Sequence, residues 1–175
     1  MNKLRILSLV LLMMGMVSFT SSNGGRPLPK VDVKTLDGRM ISTSTFQNDG
    51  KPMIISFWAT WCKPCIHELT TISDVYEDWQ DETGVKLIAI SVDNSRTSGG
   101  VLPLVNGKDW DYEVYLDENK DFQRAMGVNL VPHTFILNGK GEIVWEHTAF
   151  TEGSELEMIE ILHKLSNGEE IKSHE

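Results

Sequence analysis

Residues 52–59, PMIISFWA, restrict the fold more than any other stretch of the chain. The run has strand length and is apolar at odd and even positions alike, with Ser56 as its one polar interruption. A strand buried on both faces belongs in the middle of a sheet that other elements cover. Thr60, Trp61 and the sequence Cys62-Lys63-Pro64-Cys65 follow at once. Pro64 suits the first turn of a helix, where a missing N–H costs nothing. Ile66, Leu69, Ile72, Val75, Tyr76 and Trp79 then recur at helical spacing, which predicts one helix running up to Gly84. Residues 85–93, VKLIAISVD, read as a second buried strand. Strand, helix and strand in this order form a parallel crossover unit. The two cysteines therefore sit at a strand-to-helix junction, with Cys62 at the helix N-terminus.

On either side the pattern is less dense. Residues 26–50 carry a turn at Asp37-Gly38 between loosely alternating VDVKT and MISTS, as a small hairpin would. Residues 101–107 fit a short helix, although Pro103 weakens it, and 111–117 alternate as a strand. DFQRAMG reads as a helix ending at Gly127. VPHTFIL and EIVWEHT, joined by NGKG, read as a β-hairpin. Ser154-x-x-Glu157 has the form of a capping box that opens a last helix. Leu156, Ile159, Leu162 and Leu165 would be its inward face. A polar tail, 167–175, would fray.

Length and composition agree with one folded domain, 26–166. The chain has 175 residues, of which 41% are hydrophobic, enough for a single core. A formal charge of −9 with no basic run speaks against a nucleic-acid partner. Residues 1–22 differ from the rest. Lys3 and Arg5 precede the apolar run ILSLVLLMMGMV, and small polar residues follow. That layout is a signal peptide or a signal anchor, and it predicts export. The membrane would be touched only through such an anchor.

Export alters what the cysteines mean, because outside the cytoplasm a dithiol can be oxidised and stay so. A structural disulfide stabilises chiefly by closing a long loop. Cys62 and Cys65 are the only cysteines present and close almost none, so the pair reads as reactive. A helix N-terminus offers free N–H groups and the positive end of the dipole, which favour a thiolate. Cys62 is accordingly the expected nucleophile and Cys65, a turn deeper, the residue that resolves the mixed disulfide. Glu68 lies one turn beyond Cys65 on the same helix face, among apolar positions. Partial burial favours the protonated form of a carboxylate. Glu68 is thus suited to take the proton of Cys65 as that thiol attacks.

FWATWCKPC, the 85–93 strand, the VPHTF segment and the closing hairpin and helix together resemble the thioredoxin fold. The closer resemblance is to the exported TlpA/ResA-like thiol-disulfide oxidoreductases, over roughly residues 27–165. The resemblance implies an α/β fold with a central mixed β-sheet flanked by helices. It also implies an extra N-terminal hairpin near 26–46 and an inserted strand-helix unit between Gly84 and Gly127. It implies a redox-active Cys62–Cys65 disulfide whose potential Lys63 and Pro64 tune. It makes Pro132 a cis proline facing the cysteines, with the Val131 backbone turned outward for a client segment. Where ordinary thioredoxins place a buried aspartate on the preceding strand, this chain has Ser56, and Glu68 matches the glutamate of the ResA-like members. Phe57, Trp58 and Trp61 would pack and rim the site, with Trp61 nearest a partner. His133 is expected to be a hydrogen-bonded loop residue.

The resulting expectation is an exported disulfide reductase, monomeric and without a cofactor, in the periplasm or on the outer face of the cytoplasmic membrane. Its partners would be disulfide-bonded client proteins and a membrane thiol-electron carrier that recharges it. Two alternatives come from other classes. A peroxiredoxin-like enzyme would need Thr-x-x-Cys and an arginine, but Ala59 precedes Cys62 by three. A Cu(I)-binding or other metal-binding module would use the two thiolates, which alone rarely complete a zinc site.

Overall fold

The computed structural model describes residues 25–171. The proposed signal segment, 1–22, lies outside them. Eight strands form one sheet in the order β1-β8-β7-β4-β5-β6-β2-β3. Its centre is β4 (Met53–Trp58), the apolar run that dominates the sequence, and every residue of it is buried. β4 pairs in parallel with β5 (Lys86–Ser91) and antiparallel with β7 (His133–Leu137). β5 pairs in parallel with β6 (Glu113–Leu116), and β7 pairs antiparallel with β8 (Glu142–Thr148). The sheet is therefore mixed, as expected.

The N-terminal hairpin consists of β2 (Asp32–Thr35) and β3 (Met40–Ser42), and β2 extends the sheet beyond β6. Gly38, at φ 91°, makes its turn. A short β1 (Arg26–Pro27) pairs with the far edge at β8, which the sequence does not signal. Two residues carry too little pattern to read.

Side chains of β4 alternate between two layers. Phe57 faces Phe135 and Phe122, the latter on α4 (Asp121–Met126), with ring centroids 6.1 and 5.1 Å away. Ser56 and Trp58 face the opposite layer, which holds α1 (Lys63–Ser73), α2 (Tyr76–Thr83) and α5 (Ser154–Ser166). Trp58 meets Trp110 edge-on at 5.2 Å, just beyond α3 (Val101–Gly107). The inserted unit between Gly84 and Gly127 thus comprises β5, α3, β6 and α4. Pro103 is tolerated because it lies in the first turn of α3, where its nitrogen has no helical acceptor to serve.

Four expectations need correction. The helix from the cysteines to Gly84 is two helices, not one. At Asp74 and Val75 the amides turn back on Thr70 and Ile72, and Val75 has φ −122° and ψ 5°. The bend lets α1 and α2 each lay an apolar face on the sheet. Second, Ser154 is the first residue of α5 and not its cap. Gly153 holds the cap position at φ 93°, and its N–H donates to Glu155 Oε2 at 3.1 Å. Glu157 instead accepts from Trp145 Nε1 at 3.3 Å. Third, Leu156 is exposed; Leu162 is buried and Ile159 and Leu165 pack half-buried on the core as expected, with Met158 and Ile161 completing the inward face of α5. Past α5, the amides of Gly168 and Glu169 bond back to Leu165 and Lys164 at 3.0 and 2.9 Å, so the start of the polar tail is capped rather than frayed.

Candidate active site

The chain leaves β4 at Trp58, turns, and enters α1 at Lys63. Cys62 is the N-cap of α1, and its Sγ accepts from the Cys65 N–H at 3.3 Å. Cys62 and Cys65 are joined as a disulfide, with Cα atoms 5.3 Å apart. Both sulfurs are largely covered, Cys62 being 5% exposed and Cys65 less. Between them Lys63 and Pro64 are exposed. Trp61, before the pair, is 60% exposed, whereas Phe57 and Trp58 are fully buried and belong to the core rather than to a rim.

Opposite lies the loop before β7. The Val131–Pro132 peptide is cis, and the Val131 carbonyl oxygen is 3.7 Å from Cys62 Sγ. Val131 is half-buried, Pro132 is buried, and Leu130 before them is exposed. The sulfur at the helix N-terminus is thus bordered by the Val131 carbonyl and by exposed Trp61 and Leu130. His133 departs from expectation. It is a strand residue, buried, and its ring stacks on Phe135 at 4.4 Å. Its Nε2 has no hydrogen-bond partner and faces Glu146 at 3.6 Å. Burial, foremost, holds its imidazole below the usual histidine range against the pull of Glu146.

Glu68 is fully buried beneath the disulfide. Its Oε1 accepts a short hydrogen bond from Thr134 Oγ1 and lies 3.5 Å from Ser56 Oγ. Thr134 and Ser56 hydroxyls are 2.9 Å apart. His147 Nε2 is 3.6 Å from Glu68 Oε2. Register explains the cluster: Ser56 on β4 is opposite Thr134 on β7, which is opposite His147 on β8. Residues in register share a face, so three polar side chains line up across the sheet and Glu68 descends onto them from α1.

A second buried carboxylate holds the turn before the cysteines. Asp93, just after β5, accepts from the Thr60 N–H at 2.8 Å, the Thr60 hydroxyl at 2.7 Å and the Ser91 hydroxyl at 2.9 Å. Sequence reading missed Asp93, Thr134 and His147. Asp93 had one usable signal, its place at the carboxyl end of a parallel strand, where sites in such sheets gather. Thr134 and His147 had none, because cross-strand register is not written locally. Among the described residues, no three His, Cys, Asp or Glu side chains form a group able to hold a metal ion.

The AhpC/TSA family matches residues 25–146. The chain belongs to the AhpC/TSA family. Within it, the thiol-disulfide oxidoreductase ResA of Bacillus thuringiensis subsp. konkukian is 30% identical over 159 residues, covering 83% of this chain and 89% of that one. A thioredoxin-like protein of Porphyromonas gingivalis shares 51% identity at a TM-score of 0.73, over 84% of this chain and 97% of that one. StoA of Bacillus subtilis shares 25% identity at a TM-score of 0.60, over 76% and 97%. The fold is thioredoxin-like, and this AhpC/TSA family member is a thiol-disulfide oxidoreductase of the ResA-like kind.

Proposed function

We propose that this oxidoreductase is an exported disulfide reductase acting on client proteins. In its reduced form the Cys62 thiolate attacks a client disulfide. A Cys62–client disulfide forms and one client thiolate leaves. Cys65 then gives its proton to Glu68 and attacks Cys62 Sγ. The second client thiolate leaves, and the Cys62–Cys65 disulfide remains. Two electrons have passed to the client, and a thiol donor must return them. Export places that donor in a membrane carrier fed from the cytoplasm, and the enzyme in the periplasm or at the outer face of the membrane. No helix among the described residues is long and apolar enough to cross a membrane. The proposal makes the 1–22 segment the export signal or tether.

The observation that carries this reading is the Cys62–Cys65 pair at the start of α1, with a buried acid one turn below and the Val131 carbonyl, just before the cis proline, beside Cys62 Sγ. In this reading a client segment pairs with the Val131 backbone, and exposed Trp61 meets its apolar side chains. Lys63 and Pro64, exposed between the sulfurs, are the positions that tune the potential. Peroxide reduction is less well served. Ala59 stands three residues before Cys62, and the polar groups nearest its Sγ are the Cys65 amide and the Val131 carbonyl, not an arginine.

Trapping tests the assignment. Cys65→Ser should accumulate mixed disulfides through Cys62, visible as reducible adducts on non-reducing gels, whereas Cys62→Ser should accumulate none. Adducts on Cys62→Ser alone would reverse the two roles.

A further inference from the structure

Glu68 is fully buried, so a proton it takes from Cys65 has no direct way to water. One carboxylate oxygen, Oε1, is occupied by Thr134 and Ser56. The other, Oε2, is buried without a hydrogen-bond partner, and so is the nitrogen that faces it, His147 Nε2. The two orphaned atoms stand 3.6 Å apart. Unpaired buried polar atoms are costly and uncommon, and a shift of about half an ångström would pair these two. The His147 ring leans on Trp145, with centroids 4.9 Å apart, and its side chain is 15% exposed. His147 thus spans the distance between the buried acid and the surface.

We propose that His147 is the proton outlet of Glu68, a positioning residue that relays between the buried carboxyl and solvent. The inference rests on the reading that Glu68 receives the Cys65 proton. The step balances. Glu68 carboxyl gives its proton to His147 Nε2 while Nδ1 releases one to water, and the ring returns through the other tautomer. Imidazole is the side chain suited to this, since both nitrogens exchange protons near neutral pH. In the reverse direction the same path reprotonates Glu68 when the pair is recharged.

Other ionisable groups surround the path. From β7, burial foremost lowers the His133 imidazole, Glu146 opposes it, and the charges of His147 and Arg26 act with burial. From β8, the adjacent Glu146 faces His133. Beyond α3, Tyr112 donates to the Leu69 carbonyl on α1 at 3.3 Å, and burial pushes its phenol far up, with the Glu68 charge adding to it. What singles out His147 is its place: its Nε2 stands against Glu68 Oε2 and part of its side chain reaches solvent.

The test reacts the reduced full chain with oxidised glutathione and times release of the second glutathione, which reports the Cys65 attack. His147→Ala should slow that release on the order of tenfold near neutral pH, less than the 10²–10⁴ expected for loss of a direct acid–base group. Added imidazole should restore it in a dose-dependent manner, which a merely structural role would not allow. His147→Gln, which keeps the size and polarity of the site, should be slow as well. Glu68→Gln should be slow, insensitive to imidazole, and no slower when combined with His147→Ala. If Glu68→Gln is slow while both His147 variants keep the parent rate and pH profile, the relay is wrong and the role of Glu68 stands. Slowing in the His147 variants that imidazole leaves unchanged also overturns the relay. If Glu68→Gln reacts like the parent, both the relay and the Glu68 reading fall.

Discussion

In the proposed mechanism the proton transfer falls to a single residue, Glu68. Spacing on a helix places it below Cys65, and that much is legible in the sequence. What is not legible is how completely it is enclosed, because Ser56, Thr134 and His147 arrive from three strands. Glu68→Gln keeps the shape and the contact with Thr134 but cannot accept the proton. It should slow Cys65 attack by about 10²-fold or more near neutral pH, read as release of the second thiol in single turnover, with Cys62 alkylation unchanged. His133 makes a separate prediction about stability. Its folded-state imidazole is held below the ordinary value of 6.5, so the unfolded chain takes up a proton that the native protein resists. Stability contributed by the neutral ring is present above about pH 6.5 and is lost over the interval from that value down through the lower folded-state one. His133→Gln should flatten the fall in urea midpoint across that interval, and an equally steep fall would assign it to other groups.

At the scale of elements, the expected strands and helices are present, including the short α3, β6 and α4, and the departures lie in the break between α1 and α2, the cap of α5 and the two-residue β1. β4, β5, β7, β8 and the N-terminal hairpin follow from apolar runs and turn residues. The division of α1 from α2 did not, since a bend that keeps both apolar stripes inward leaves the helical period almost intact. The cap of α5 was misread for a related reason: Ser-x-x-Glu is a common pattern, and Gly153 supplies the left-handed turn that displaces it. The turn leading to the cysteines depends on Asp93, whose carboxylate ties the Thr60 amide and hydroxyl to the end of β5. Asp93→Ala leaves that buried amide unpaired and should cost about 2 kcal/mol. The urea midpoint should fall with an unchanged slope. A loss under about 0.5 kcal/mol would mean that water or a neighbouring group replaces the carboxylate.

For the whole molecule, the sheet order explains why the site sits where it does. β4 is central, so α1 begins over the middle of the sheet, where β7 and β8 bring Pro132, Thr134 and His147 beneath the cysteines. The hairpin β2–β3 lengthens the opposite end without touching this arrangement. The cysteine pair was evident from the chain alone because it is local in sequence, and the fold class followed from the family resemblance carried by the cysteine segment, the 85–93 strand and the VPHTF segment. The direction of electron flow is a property of the whole site, through the relative stability of thiolate and disulfide, and no single residue states it. The most direct test is therefore the reduction potential of the Cys62–Cys65 couple, measured by equilibrating the protein in thiol redox buffers. A value near or below about −250 mV, on the thioredoxin side of the known range, is what a reductase requires. A value near about −120 mV, among the strong oxidants, would contradict the account and make the protein a disulfide donor.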